Sequence, residues 1–305
     1  MTETTTDEAI EAELSVGKGR SLWADARRRF LRNRAAMVSA VVLLLVLLFA
    51  SFGQFFAQWS NEEIDWSLLG QIPQAGGPSI ENGHYFGVDE TGRDLFARIV
   101  QGTRISLAVG IVGALISVIV GTAYGAIAGY VGGRTDSVMM RFVDLMMSIP
   151  YMFVLIILLV IFSRSIVMLF VGIGLISWLD MARIVRGQTL SLKNREFVEA
   201  AIATGVRTPR IITRHIVPNL IGVVVIYATL LVPQMIIFES FISFLGLGVQ
   251  EPMTSWGALI NQGAANLRNG TPWMIAFPLA FFVVSLFALF FLGDGLRDAL
   301  DPKDR

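Results

Sequence analysis

The sequence predicts an all-α membrane protein of six transmembrane helices. Three observations carry that expectation. The 305 residues are 54% hydrophobic and only 16% charged, whereas soluble domains carry about 25% charged residues. Six apolar runs are each long enough to cross a bilayer, which takes roughly 20 residues at helical rise. Backbone groups in hydrocarbon must pair internally, so runs of this kind are read as helices.

The runs are residues 35–57, 105–130, 138–162, 166–184, 216–238 and 273–293. The first is preceded by a long hydrophilic stretch rather than the short basic region of a cleaved signal peptide, so it is expected to be retained. Residues 1–18 form a polar, acidic tail expected to be disordered. In residues 19–34, Leu22, Trp23, Ala26 and Phe30 share one helical face, with Arg27, Arg28, Arg29, Arg32 and Arg34 around the other. Two readings fit this segment: an amphipathic helix on an anionic membrane surface, and a simple basic anchor beside the first span. The second run carries Gly121, Gly125 and Gly129, four apart on one face, which lets another backbone approach. Packing within the subunit and a seam between subunits are both compatible with that stripe.

Charge sets the expected orientation. Of the 24 Lys and Arg residues, 19 fall on the side that holds both termini and the segments around 131–141 and 183–215. Only Arg93, Arg98, Arg104, Arg164 and Arg268 fall on the other. Basic residues mark the cytoplasmic side. Both termini are therefore expected in the cytoplasm, with a long basic loop at 185–215 and a tail at 294–305. Residues 58–104 and 246–272 are expected to face outward.

The same residues exclude several functions. Zero formal net charge argues against nucleic acid as a partner. There is no cysteine, and His84 and His215 fall on opposite sides of the membrane, so no metal set is expected. No phosphate-cradling G-x-x-x-x-G-K-[ST] loop exists, and no G-x-S-x-G nucleophile elbow. No catalytic or cofactor site is expected in this chain, and an enzyme is disfavoured. A self-sufficient channel or secondary transporter stays open, although no internal repeat supports the repeat-built kind.

Ionisable residues inside spans cost roughly 2.5–3.5 kcal/mol at mid-bilayer, so each needs a partner or a task. Asp144 lies three residues from Arg141, Asp180 three from Arg183, and Asp294 three from Arg297. That spacing predicts ion pairs within one helical turn at the inner interface. Glu239 ends the fifth span with no base nearby in sequence. It either reaches outer water or faces the bundle interior, where it is a candidate pathway or gating residue.

One inner segment stands out. Residues 196–205 read E-F-V-E-A-A-I-A-T-G, with Phe197, Val198, Ala201 and Ile202 forming an apolar stripe at helical spacing. Gly205 is a helix stop, and Pro218 marks entry into the fifth span. A short helix with small residues can dock in a partner's groove or pack on its own spans; the pattern fits both.

The order Glu199-Ala200-Ala201, three residues, Gly205, nine residues, then H-I-V-P ending at Pro218 resembles the E-A-A loop of bacterial ABC importer permeases. His215 and Val217 replace the Ile and Leu of the general pattern. Further segments resemble the C-type permease of oligopeptide importers: H-Y-F-G-V-D-E-T-G-R-D-L from His84, G-T-R-I-S-L from Gly102, S-W-L-D-M-A-R-I-V-R-G-Q from Ser177, S-F-L-G-L-G from Ser243, and G-D-G-L-R-D-A-L-D-P from Gly293. Val88 stands where relatives usually have Thr. Residues 59–82 look individual to this chain.

The resemblance implies a type I ABC importer permease fold in a bacterial cytoplasmic (inner) membrane. It implies a second, homologous permease subunit, two cytoplasmic ABC ATPases that bind ATP and Mg, and an extracytoplasmic peptide-binding protein. It implies coupling to an ATPase through Glu196, Glu199, Ala200, Ala201 and Gly205, and alternating access as the mechanism. The substrate implied is an oligopeptide; dipeptides or nickel complexes are the alternative within the same family.

Overall fold

The computed structural model describes residues 22–162 and 165–300, the first four of them by backbone alone. The expected disordered tail at 1–18, the side chains of Leu22 and Trp23, and the last five residues lie outside that description. A short helix α1 (Leu22–Arg32) leads into α2 (Arg34–Phe52). Asn33 separates them, and its side-chain oxygen accepts a hydrogen bond from the Ala36 N–H at 3.1 Å, a helix N-cap.

Between α2 and the next span the chain folds over one end of the bundle, with the single-turn helix α3 (Ile72–Ala75). Helix α4 (Leu95–Ile116) is capped by Asp94 and continues through a π-turn at Ser117–Gly121 into α5 (Thr122–Val131). Together they form a rod of 37 residues, longer than the expected run at 105–130.

The glycine stripe explains how the π-turn and α5 pack. A Cβ at Gly121 would lie 2.6 Å from Met181 Cβ, at Gly125 2.3 Å from the Ala182 carbonyl oxygen, and at Gly129 2.8 Å from the Arg186 carbonyl oxygen. All three contacts lie on α8 (Ile166–Leu192) of the same chain. The stripe is an internal seam.

The third run departs from expectation. Residues 138–162 are not one helix: α6 (Gly133–Ser148) and α7 (Tyr151–Phe162) meet at a 76° bend. Pro150 is the cause. It cannot donate a backbone hydrogen bond and it disfavours helical geometry in the residue before it, and Ile149 is extended at φ −87°, ψ 127°. Helix α7, at 12 residues, spans only about 18 Å.

After α8 the chain forms α9 (Glu196–Ala203) and α10 (Thr208–Ile211). A π-turn at Ile212–Ile216 then joins α11 (Val217–Phe244). From Thr208 to Phe244 these make a second rod of 37 residues. Helix α12 (Trp256–Asn266), within the segment expected to be an outer loop, is capped by Ser255. Helix α13 (Trp273–Leu300) ends the described chain, so the expected tail at 294–305 begins as helix. Among the described residues there are five unbroken apolar helices long enough to span, and six if the bent α6–α7 pair counts as one. Among the described residues no strand occurs; only two isolated bridges tie the 58–94 segment together.

The main core lies between α5, α7, α8 and α11, around Leu155, Leu169, Met181, Val185 and Leu231. Outside it, the wide apolar surface of α2 and of α13 is exposed, as lipid-facing helices require.

Candidate functional site

Helix α9 is short and strongly acidic at its start. Glu196 and Glu199 occupy its first turn, where the helix dipole favours negative charge. Its end is a Schellman cap. Val206 N–H donates to the Ala201 carbonyl at 3.0 Å and Gly205 N–H to the Ile202 carbonyl at 2.9 Å, with Gly205 at φ +76°. A side chain at that φ is strained, by about 1–2 kcal/mol. Gly205→Val is therefore expected to fray the last turn of α9. Faster proteolysis at residues 203–207, with the spans intact, is the check.

The apolar stripe of α9 is divided. Val198 is fully buried and Ala201 is 7% exposed, both joining the core beside Ile211 and Ile216 of their own chain. Glu196, Glu199, Ala200, Phe197 and Ile202 are exposed. This corrects the expectation for Ala201: its small size serves packing within the subunit, not an outward contact. The free face is built around Ala200, with the exposed Glu196 and Phe197 one turn before it. The base is firm because α10 and its π-turn run without interruption into α11.

At the far end of α11 lies Glu239. It is 0% exposed. Ser243 donates to its Oε1 at 2.7 Å, and Ser106 and Ser240 donate to its Oε2 at 3.0 and 3.2 Å. Ser106 in turn accepts the Trp256 N–H at 3.2 Å, and Trp256 Nε1 donates to Thr103 at 3.1 Å. Of the two sequence readings, Glu239 takes the interior one. It ties α11 to α4 and to the first turn of α12. One continuous helix thus joins the α9 loop to the element at the opposite end of the bundle.

A second network holds that end. Asp89 is buried with Arg98, to which it is hydrogen-bonded, and accepts from Arg93 Nε at 2.9 Å. Arg93 also donates to Glu251 at 2.6 Å. His84 Nδ1 lies 2.9 Å from Asp94 and Nε2 3.4 Å from Asp65, and its ring stacks on Trp59 at 4.7 Å. Burial pushes the Asp89 carboxyl up, but Arg98, Thr91 and Arg93 outweigh it and leave it below the usual carboxylate range. The Arg93 hydrogen bond lowers Glu251 in the same way. Burial raises Asp94.

For the two lowered groups the sign is clear: their stabilisation is present above the ordinary carboxylate pKa and is lost as pH falls through the folded value. Asp94 works in the opposite direction. The stabilisation held by the lowered carboxylates is lost below about pH 4. Protease cleavage within residues 58–94 of the detergent-solubilised chain is expected to rise there, ahead of any loss of helical signal. The sequence excludes His84 from a metal set and places it at the head of the H-Y-F-G-V-D segment, but assigns it no partner. Its carboxylate partners lie 10 and 19 residues away, on a fold with no periodic signal.

The interfacial ion pairs are also corrected. Arg183 pairs with Asp144 at 2.6 Å, between α8 and α6 rather than within one turn. Arg186 binds Asp136 through two hydrogen bonds of 2.8 and 2.6 Å. Asp180, Arg141, Asp294 and Arg297 make no ion pair among the described residues. Helix α6 lies alongside α8, so Arg183 and Arg186 reach acids on the neighbouring helix.

A bundle of five to six apolar spans, with a rigidly based short helix projecting from one loop, defines a membrane-spanning subunit of a multi-pass transporter. Residues 121–305 match the family model described as the binding-protein-dependent transport system inner membrane component, and residues 21–73 match the N-terminal TM domain of oligopeptide transport permease C. The chain belongs to the binding-protein-dependent transport system inner membrane component family, and it is a multi-pass inner-membrane protein.

The oligopeptide transport system permease protein OppC of Escherichia coli is 56% identical over 288 residues, 94% of this chain and 93% of that protein. OppC of Haemophilus influenzae is 54% identical over 94% of this chain and 91% of its own length. The dipeptide transport system permease protein DppC of Bacillus subtilis is 43% identical over 92% of this chain and 86% of its own length. Among solved structures, an inward-facing conformation of the MetNI methionine ABC transporter matches with TM-score 0.54 at 18% identity, covering 66% of this chain and 95% of that one. It shares the fold.

Proposed function

We propose that this chain is one of two permease subunits of an ATP-driven oligopeptide importer and moves its substrate by alternating access. The observation that carries this reading is α9. One face is locked to its own subunit by Val198 and Ala201, and the other leaves Glu196, Glu199 and Ala200 exposed. Such a helix can pass force to α11, because Val198 and Ala201 pack with Ile211 and Ile216 on the segment that runs into it. The names of the most similar relatives support an oligopeptide as the cargo.

In this reading both termini are cytoplasmic, supported by 19 of 24 basic residues on their side. A homologous second permease completes the path. Two ABC ATPases bind ATP and Mg and seat α9 in a cleft, and an extracytoplasmic binding protein delivers peptide. The chain itself needs no cofactor. ATP-driven closure of the ATPases moves α9, and α11 carries the motion to the Glu239 network and α12.

The test is uptake into proteoliposomes holding the full assembly and its binding protein, with a dipeptide-to-pentapeptide series. Uptake of tripeptides and longer that requires both ATP and this chain is expected. Uptake of dipeptides alone would move the cargo to the dipeptide class. Uptake by this chain without ATPase or ATP would replace the reading with a self-sufficient carrier.

A further inference from the structure

Asp180 has lost the partner its spacing suggested. Arg183, one turn along, is taken by Asp144. Asp180 makes neither an ion pair nor a hydrogen bond among the described residues. Yet it sits inside the apolar helix α8, 14 residues or roughly 21 Å from Ile166. An exposed carboxylate there cannot face hydrocarbon cheaply. The surface it belongs to must meet water or protein.

Asp180 lines a cavity of about 70 Å³ between α7, α8 and α11. Its other polar wall groups include Tyr151, Ser177 and Gln234, and Met235 and Phe238 are part of its apolar wall. Ser177 is already committed: its hydroxyl donates to the Gly113 carbonyl at 3.2 Å. Gln234 is exposed and, like Asp180, has no hydrogen-bond partner among the described residues. Tyr151 packs on Phe238 with ring centroids 4.6 Å apart. Tyr151 is also the first residue after the Pro150 bend, so the bend presents this ring to the cavity.

The geometry points to a cation-accepting subsite in the transport path, in which Asp180 receives the ammonium group of a peptide in transit, its free amino terminus or a lysine side chain. This inference rests on the oligopeptide-import reading. The chemistry is specific to an ammonium beside an apolar body. A carboxylate supplies the charge, the Gln234 amide oxygen can accept a hydrogen bond, and the Tyr151–Phe238 pair offers aromatic surface for a cation or an apolar side chain. At about 70 Å³ the space takes a small headgroup and not a chain. It is a contact point on a wider route, which the second permease would complete.

The chain contains no cysteine, so a single Gln234→Cys reports this cavity. The assembled transporter in nanodiscs, open to both aqueous sides and free of binding protein, is treated with a cationic and an anionic methanethiosulfonate. Labelling of this subunit is read by mass spectrometry. The cationic reagent is expected to react about tenfold faster, through attraction to Asp180 in a site of low effective dielectric, and Asp180→Asn is expected to abolish the preference. Trialanine is expected to slow labelling, and N-acetyl-trialanine at the same concentration to leave it unchanged. Equal rates for the two reagents, a preference that survives Asp180→Asn, or no protection by trialanine would each overturn the subsite. The last would assign Asp180 to a cation of the neighbouring permease. ATP-dependent tripeptide uptake by the unsubstituted assembly is measured in parallel; its absence would instead remove the importer reading.

Discussion

Ala200→Trp is expected to abolish ATP-driven uptake while the subunit stays folded and in the membrane. Ala200 is exposed on α9, and its neighbours on the buried side, Val198 and Ala201, hold the helix in place. A tryptophan at position 200 therefore leaves the subunit's own core untouched and fills the space a docking cleft needs. Loss of a fitted contact at the point where force enters acts on every turnover, so the effect is expected to exceed roughly 100-fold. A tenfold step in an equilibrium corresponds to about 1.4 kcal/mol, and an overpacked contact costs about 1–3 kcal/mol, so about two such steps are within reach. Uptake, ATPase activity and detergent-extracted yield, measured together, separate uncoupling from misfolding. The same substitution at Ala201 would not make that separation, because Ala201 packs against its own chain.

Asp89→Ala is expected to be the most destabilising single change at the opposite end. It leaves Arg98, which is 1% exposed, with only the longer 3.5 Å contact to Glu251. It also frees Thr91 and Arg93, both of which donate to Asp89. Breaking a buried ion pair from one side costs about 3–5 kcal/mol because the remaining charge is uncompensated. The midpoint of thermal inactivation should fall, and residues 58–94 should become protease-sensitive at a temperature where the spans still resist. Asp89→Asn keeps the shape and some hydrogen bonds and is expected to lose less. If the two variants behave alike, charge is not what holds this network.

Much of the architecture is written in local pattern. Span composition, the glycines four apart along the π-turn and α5 and the Gly205 stop each act within a few residues, so their consequences are legible. Pro150 carried a readable signal too, but the length of the apolar run at 138–162 masked it. A proline inside a 25-residue, mostly apolar run competes with hydropathy, and here backbone chemistry wins. What was not legible depends on which helix lies beside which. Asp144 finds Arg183 across two helices. Glu239 is caged by Ser106, 133 positions away, as well as by its own neighbours Ser240 and Ser243. His84 sits between two carboxylates that only the folded loop brings together. The division of the α9 stripe belongs to the same class, since an apolar period cannot say which of its residues the subunit keeps for itself.

The central claim is that the exposed face of α9 is the docking surface for the motor. Ala200→Cys introduces the single thiol of this chain, and the assembled importer can be treated with a short thiol-to-amine cross-linker before and after ATP addition. A cross-link between this subunit and an ATPase, dependent on the introduced thiol and changed in yield by ATP, is the expected result. An active importer in which that thiol stays freely reactive and captures no ATPase in either state would contradict it.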